Sequence, residues 1–217
     1  MVIAETEPMN RDAIQRGRRL EYLTIGWNMF EAAVAIGAGV FARSTALLGF
    51  GIDSLIESLS GSVLLWRLHH GEKGERREQQ ARKLVGGSLL VLAAYVAFEA
   101  VESLVKQKAP AASYPGIGIA FLAVIVMPLL ARAKRKVAAS LESRAMHADS
   151  RQSDICAYLS AILLIGLGAN ALLGWWWADP VAGLVMVPII GKEGIEALRG
   201  ETCGCNKACR PSERNGS

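Results

Sequence analysis

The apolar residues of this chain gather into six long runs: Leu20–Phe41, Ala46–Leu68, Leu84–Val105, Tyr114–Ala133, Ile155–Trp177 and Pro180–Leu198. A helix needs about 20 mostly apolar residues to cross the hydrocarbon core of a bilayer. Each run is therefore expected to be a transmembrane helix, with the sixth interrupted by Pro188 and Gly191. The expected fold class is an all-α integral membrane protein, one bundle of six transmembrane helices over residues 20–198. Residues 1–19 form an N-terminal segment and residues 199–217 a tail. The chain breaks into three helix pairs, whose members are joined by outer links at 42–45 (ARST), at 106–114 (KQKAPAASY) and around Trp175–Asp179. Trp175, Trp176 and Trp177 suit a membrane interface, where an amphipathic ring is half wet.

Composition agrees. The chain is 52% hydrophobic with a mean hydropathy of +0.28, and no room remains for a soluble domain. The N-terminal segment mixes Glu5, Glu7 and Asp12 with Arg11, Arg16, Arg18 and Arg19. It has no apolar stretch and no small-residue cleavage site, so it is not expected to be a signal peptide. Of 24 Lys and Arg, only Arg43, Lys106 and Lys108 fall in the links expected on the outer side. This bias sets the orientation of a multi-pass protein and puts both termini in the cytoplasm. The net charge of +4 is thus mainly a topology signal. GEKGERREQQARK and ARAKRKVAAS are expected to be solvated connections, not nucleic-acid contacts.

Against this background the acids inside the runs stand out. The second run holds Asp53 and Glu57. A carboxylate at mid-membrane costs roughly 2.5–3.5 kcal/mol on insertion scales and marks a functional site by default. At i and i+4 the two share one helix face. Like charges that close need something between them, and a divalent metal ion or a shared proton both serve. No Lys or Arg lies inside the six runs except near their ends, which leaves little for structural ion pairing. A second cluster opens the fifth run, where His147, Asp149, Ser150 and Asp154 each offer a ligand atom. Asp149 lies about 140° round the helix from Asp154 at 100° per residue, so one ion does not take both unless the helix starts late or bends. Arg151 is a candidate partner for either acid. Glu31 and Glu99 are candidates for a proton or cation path, while Asn28 and Asn170 suit hydrogen bonds between helices. Glu102 is expected near the outer interface.

These residues point to a family. STALLGFGIDSLIESLSG resembles the second helix of the cation diffusion facilitators, whose pattern is close to SxALLADAxHSLxD. Ser44, Ala46, Leu47, Leu48, Ser54 and Leu55 match, with Asp53 at the first metal-ligand position and Glu57 at the second. Ser153 and Asp154 match the SD of the fifth-helix segment, where the Asp is a ligand, and WADPVAGLVMV is similar to the opening of the sixth helix. The family's fifth-helix His falls on Ser150, for which Asp149 or His147 are the possible substitutes. The family's cytoplasmic C-terminal domain is expected to be absent, as in its shorter, membrane-only members. The resemblance implies export of a divalent cation, usually zinc, in exchange for protons, by a homodimer that alternates between inward-facing and outward-facing states. An oxygen-rich ligand set adds weight to manganese, iron and cobalt. Zinc stays first and cadmium remains open. The transported ion is cargo, and no catalytic cofactor is expected.

The tail carries Cys203, Cys205 and Cys209, whose spacing could wrap a soft metal ion as an accessory site. Cys156 lies two residues from Asp154, on the other side of the helix, and is expected to pack. No CxxC pair is present, so a thiol oxidoreductase, and an enzyme in general, is not expected. The alternative to a transporter is a membrane scaffold or metal sensor built on a degenerate transporter fold.

Overall fold

The computed structural model describes residues 6–70, 75–108, 110–141 and 144–199. They form six helices: α1 (Thr6–Ala42), α2 (Thr45–His70), α3 (Glu75–Val105), α4 (Tyr114–Ser140), α5 (Arg144–Leu173) and α6 (Ala178–Arg199). Each predicted run lies within or almost within one helix, and several helices run past their apolar segment. α1 begins well before Leu20, α3 before Leu84 and α5 before Ile155, while α4 continues beyond Ala133. Hydropathy marks only where the chain can face lipid. Residues such as Ala, Arg, Glu, Lys and Gln keep a helix going in water. With up-and-down connections all these extensions fall at one end of the bundle. Among the described residues, five helices are long and apolar enough to span a membrane, from Asp12–Ala42 to Asp149–Leu173. α6 has the length, at 22 residues, but carries Asp179, Lys192, Glu193, Glu196 and Arg199.

The helices pack in an order different from the chain's. α1 packs on α2, α2 on α5, α5 on α4 and α4 on α1, closing a four-helix ring. α3 pairs with α6 beside it, held mainly through α2 and α5. The core between them is built from Leu47, Phe50, Met127, Leu159, Leu163 and Met186. Phe41, Phe98, Ile165 and Leu172 point outward, as suits side chains that meet lipid.

Small residues set the α3–α6 distance. A Cβ on Gly86 would stand 2.8 Å from the Gly194 carbonyl oxygen, and one on Gly194 would stand 3.0 Å from that of Gly86. Gly86 is thus used in packing within the chain, whereas a Cβ on Gly87 would meet nothing within 4 Å. Gly86→Ala is expected to destabilise the purified protein by about 1–3 kcal/mol through overpacking, with Gly87→Ala neutral. Thermal unfolding in detergent checks the pair, and an equal effect of both would refute the packing account.

The links opposite the helix extensions are tied down by side chains. The Ser44 hydroxyl donates to Asp179 Oδ1 at 2.5 Å, and the Thr45 N–H donates to Asp179 Oδ2 at 3.1 Å. Asp179, only 1% exposed, therefore caps the N-terminus of α2 while opening α6, and Ser44 itself accepts from the Leu47 N–H at 3.1 Å. This explains the Ser of STALL and the Asp of WADP structurally: an anion satisfies orphan N–H groups and the helix dipole together. Asn170 donates to the Pro110 carbonyl at 3.1 Å and so fastens α5 to the 106–113 link. Glu102 binds Lys106 and, at 3.0 Å, Lys108. Trp175 stacks on Trp177 with centroids 5.2 Å apart.

Candidate cation-binding site

The ring of α1, α2, α4 and α5 encloses a column of ionisable side chains. Asp53 and Glu57 on α2 are 5% and 2% exposed, and Glu31 on α1 is fully buried. Glu31 is held by three donors: Trp27 Nε1 at 2.5 Å, Ser54 Oγ at 2.8 Å and the Cys156 thiol at 3.7 Å. Glu57 Oε1 accepts from Ser153 Oγ at 3.1 Å, while its Oε2 has no hydrogen-bond partner among the described residues. Glu31 and Glu57 both lie within charge range of Asp53. Glu193, half-buried on α6, is within charge range of Asp53 and Glu57 as well. Three to four carboxylates thus face one another in a low-dielectric interior, where an uncompensated charge is expensive. A bound cation or protons relieve that repulsion.

The sequence-predicted residues divide between this column and its surroundings. Asp53, Glu57 and Glu31 come together. The α5 residues opposite them are Ser153 and Cys156, the inward neighbours of Asp154. Cys156 does pack in the core, but the side of the helix away from Asp154 is the side where the acids lie. Asp154 itself is ion-paired with Arg135 of α4, both partly exposed. Asp149 pairs with Lys134 of α4, in keeping with its different face from Asp154. Arg151, the candidate partner from the same helix, is exposed. Ser150 is fully buried and donates to the His147 carbonyl at 2.7 Å, and the His147 side chain is exposed. Glu99 stands on α3 within charge range of Tyr95 and Lys106. Asn28 is fully buried with no partner for its amide among the described residues. Cys203, Cys205 and Cys209 lie outside the described residues. As the side chains stand, no group of three His, Cys, Asp or Glu among the described residues is arranged to hold a metal ion.

Sequence reasoning missed the basic partner. Lys134 follows the fourth apolar run directly, yet it is fully buried, bound to Asp149 and 3.5 Å from Glu21 Oε2. Glu21, fully buried on α1, was also missed. Both lie near ends of apolar runs, where burial depends on neighbouring helices and not on hydropathy. The signal that could have found them is helical phase: Lys134 continues the buried row Ala123, Met127, Ala131 of α4.

Comparison with known proteins bears on the whole bundle. The chain is 24% identical over 184 residues to Transmembrane protein 163 of Xenopus laevis, covering 82% of this chain and 65% of that protein. It is 24% identical over 171 residues to an uncharacterized transporter of Synechocystis, 75% of this chain and 55% of the relative. It is 24% identical over 201 residues to the cadmium, cobalt and zinc/H(+)-K(+) antiporter of Bacillus subtilis, 84% of this chain and 62% of the relative. The chain therefore spans less than two thirds of the length of these relatives. The family described as the cation efflux transmembrane domain matches residues 22–201, which takes in all six helices except the first turns of α1. The resemblance carried by Asp53, Glu57 and the SD and WADP segments thus extends over most of the sequence, and the chain belongs to the cation efflux family.

Proposed function

We propose that this protein carries a divalent metal cation across a membrane, out of the cytoplasm and in exchange for protons, with Asp53 and Glu57 as the centre of the transport site. The observation that carries the reading is the burial of Asp53, Glu57 and Glu31 in one column without a basic residue between them. Carboxylates must be deprotonated to bind metal, so metal entry expels protons and proton entry expels metal. Both termini are on the cytoplasmic side, in line with the Lys and Arg bias, and the working unit is a homodimer joined through its membrane helices. A relative named as a cadmium, cobalt and zinc/H(+)-K(+) antiporter supports the metal class and the exchange. Pro128 in α4 and Pro188 in α6 are places where the missing N–H eases bending between states.

Zinc is the first candidate. The thiol of Cys156, 3.7 Å from Glu31, adds a soft donor to an oxygen set and favours Cd2+ and Zn2+ over Mn2+. Cys156→Ser is accordingly expected to lower the ratio of Cd2+ to Mn2+ flux by about tenfold. An unchanged ratio would remove the thiol from the site. The direct test of transport is flux of Zn2+, Cd2+, Co2+ and Mn2+ into liposomes holding the purified chain under an imposed proton gradient. Uptake that collapses when a protonophore dissipates the gradient is expected. Absence of uptake by folded protein would favour a membrane scaffold or metal sensor, a reading that draws on the Asp154–Arg135 pair, which turns a fifth-helix acid away from the column.

A further inference from the structure

We propose that Lys134 is a tethered cation seated in a second carboxylate site, formed by Glu21 and Asp149 next to Glu57, and that a divalent ion on its way through the bundle displaces its ammonium from that seat. The inference rests on the transport reading above for its role, but the seat is argued from its own geometry. Lys134 and Glu21 are fully buried and Asp149 is 6% exposed. The ammonium is hydrogen-bonded to Asp149 and lies 3.5 Å from Glu21. Both oxygens of Glu21, Oδ1 of Asp149 and Oε2 of Glu57 remain without a hydrogen-bond partner among the described residues. These are four buried acceptors, more than one ammonium satisfies.

The seat adjoins the central column. A Cβ on Gly61 would lie 3.3 Å from Glu21 Oε2, which places the carboxylate level with Gly61, one helical turn from Glu57 on α2. Lys134 is within charge range of Glu57 as well as of Glu21 and Asp149. The four groups come from α1, α2, α4 and α5, the helices of the ring, and lie toward the end where those helices extend past their apolar runs. Charge decides what fits there. One ammonium balances one of the two carboxylates of Glu21 and Asp149, whereas a divalent ion balances both. The four-carbon stem of lysine lets its ammonium swing from the pair toward Glu57, which is within its charge range, so the displaced charge stays paired. When the divalent ion leaves, the ammonium returns, so the empty path never exposes a bare acidic pair.

The test measures Cd2+ binding to the purified full-length chain by equilibrium dialysis. Lys134→Gln keeps the stem's bulk and removes the charge. At Cd2+ concentrations low enough for the wild-type ammonium to hold the seat, it is expected to bind up to one Cd2+ per chain more than wild type, and Lys134→Gln/Asp149→Asn is expected to return to the wild-type number. Equal binding by wild type and Lys134→Gln would overturn the seat. Should Lys134→Gln fail to fold alone, recovery of a monodisperse protein with Cd2+ in the solubilisation buffer is the supporting result. Failure with Cd2+, while the double variant folds without it, would overturn the proposal. Wild-type flux in liposomes is measured in parallel. Missing flux overturns the transport reading, whereas unchanged binding in Lys134→Gln beside intact wild-type flux overturns the seat alone.

Discussion

Liposomes holding Asp53→Asn/Glu57→Gln are expected to take up Zn2+ and Cd2+ no faster than empty liposomes, although the variant inserts and folds. The two carboxylates sit nearly without exposure in the middle of the ring, and each substitution replaces an anion by a neutral amide of almost the same shape. A contact to a charged group is worth roughly 1.5–3 kcal/mol, so losing two weakens the bound ion by about a hundredfold or more. The fold has no reason to suffer. Asp53 and Glu57 have no basic residue between them, and removing a repulsive buried pair is neutral or favourable for the apo protein. Tm should therefore hold or rise while flux disappears. The opposite pattern, normal flux with lowered stability, would mean that the α2 acids are structural and that the ion passes elsewhere.

The largest stability effect is expected at Asp179→Ala. Its carboxylate receives the Ser44 hydroxyl and the Thr45 N–H, joining the start of α6 to the start of α2. Alanine leaves both donors buried without an acceptor and removes the negative charge from the N-terminus of α2. Unsatisfied buried donors and a lost cap together correspond to about 3 kcal/mol. Detergent-solubilised Asp179→Ala should unfold several degrees below wild type, and Asp179→Asn, which keeps one acceptor oxygen, should fall between them. Identical melting of all three would show that the α2–α6 tie is dispensable.

The helices were legible because lipid imposes a simple requirement. A run of about 20 apolar residues announces itself without any tertiary knowledge, and the first four runs coincide with the apolar parts of α1 to α4. The acids at 53 and 57 were equally visible, since nothing else explains their presence in such a run. What hydropathy cannot say is which helices touch. The pairing of α3 with α6 rests on the Gly86–Gly194 approach, two residues more than a hundred positions apart. The fifth-helix contribution also turns on contacts that hydropathy does not show. The motif points to Asp154, while side-chain contacts bring Ser153 and Cys156 to the acids and leave Asp154 to Arg135. Lys134 escaped notice because a lysine at the end of an apolar run is normally expected to reach for water. Here α1 and α5 close over it with one acid each.

Among the described residues, six carboxylates are buried, those of Glu21, Glu31, Asp53, Glu57, Asp149 and Asp179, against the single ammonium of Lys134. A chain that folds into such an interior gathers protons or metal ions as part of folding. Any ion held by the native bundle and not by the unfolded chain raises the folded fraction by mass action. On the transport reading, the ions that the bundle would carry also count in its assembly: metal or protons available where the helices come together would raise the share of the chain that reaches the native state.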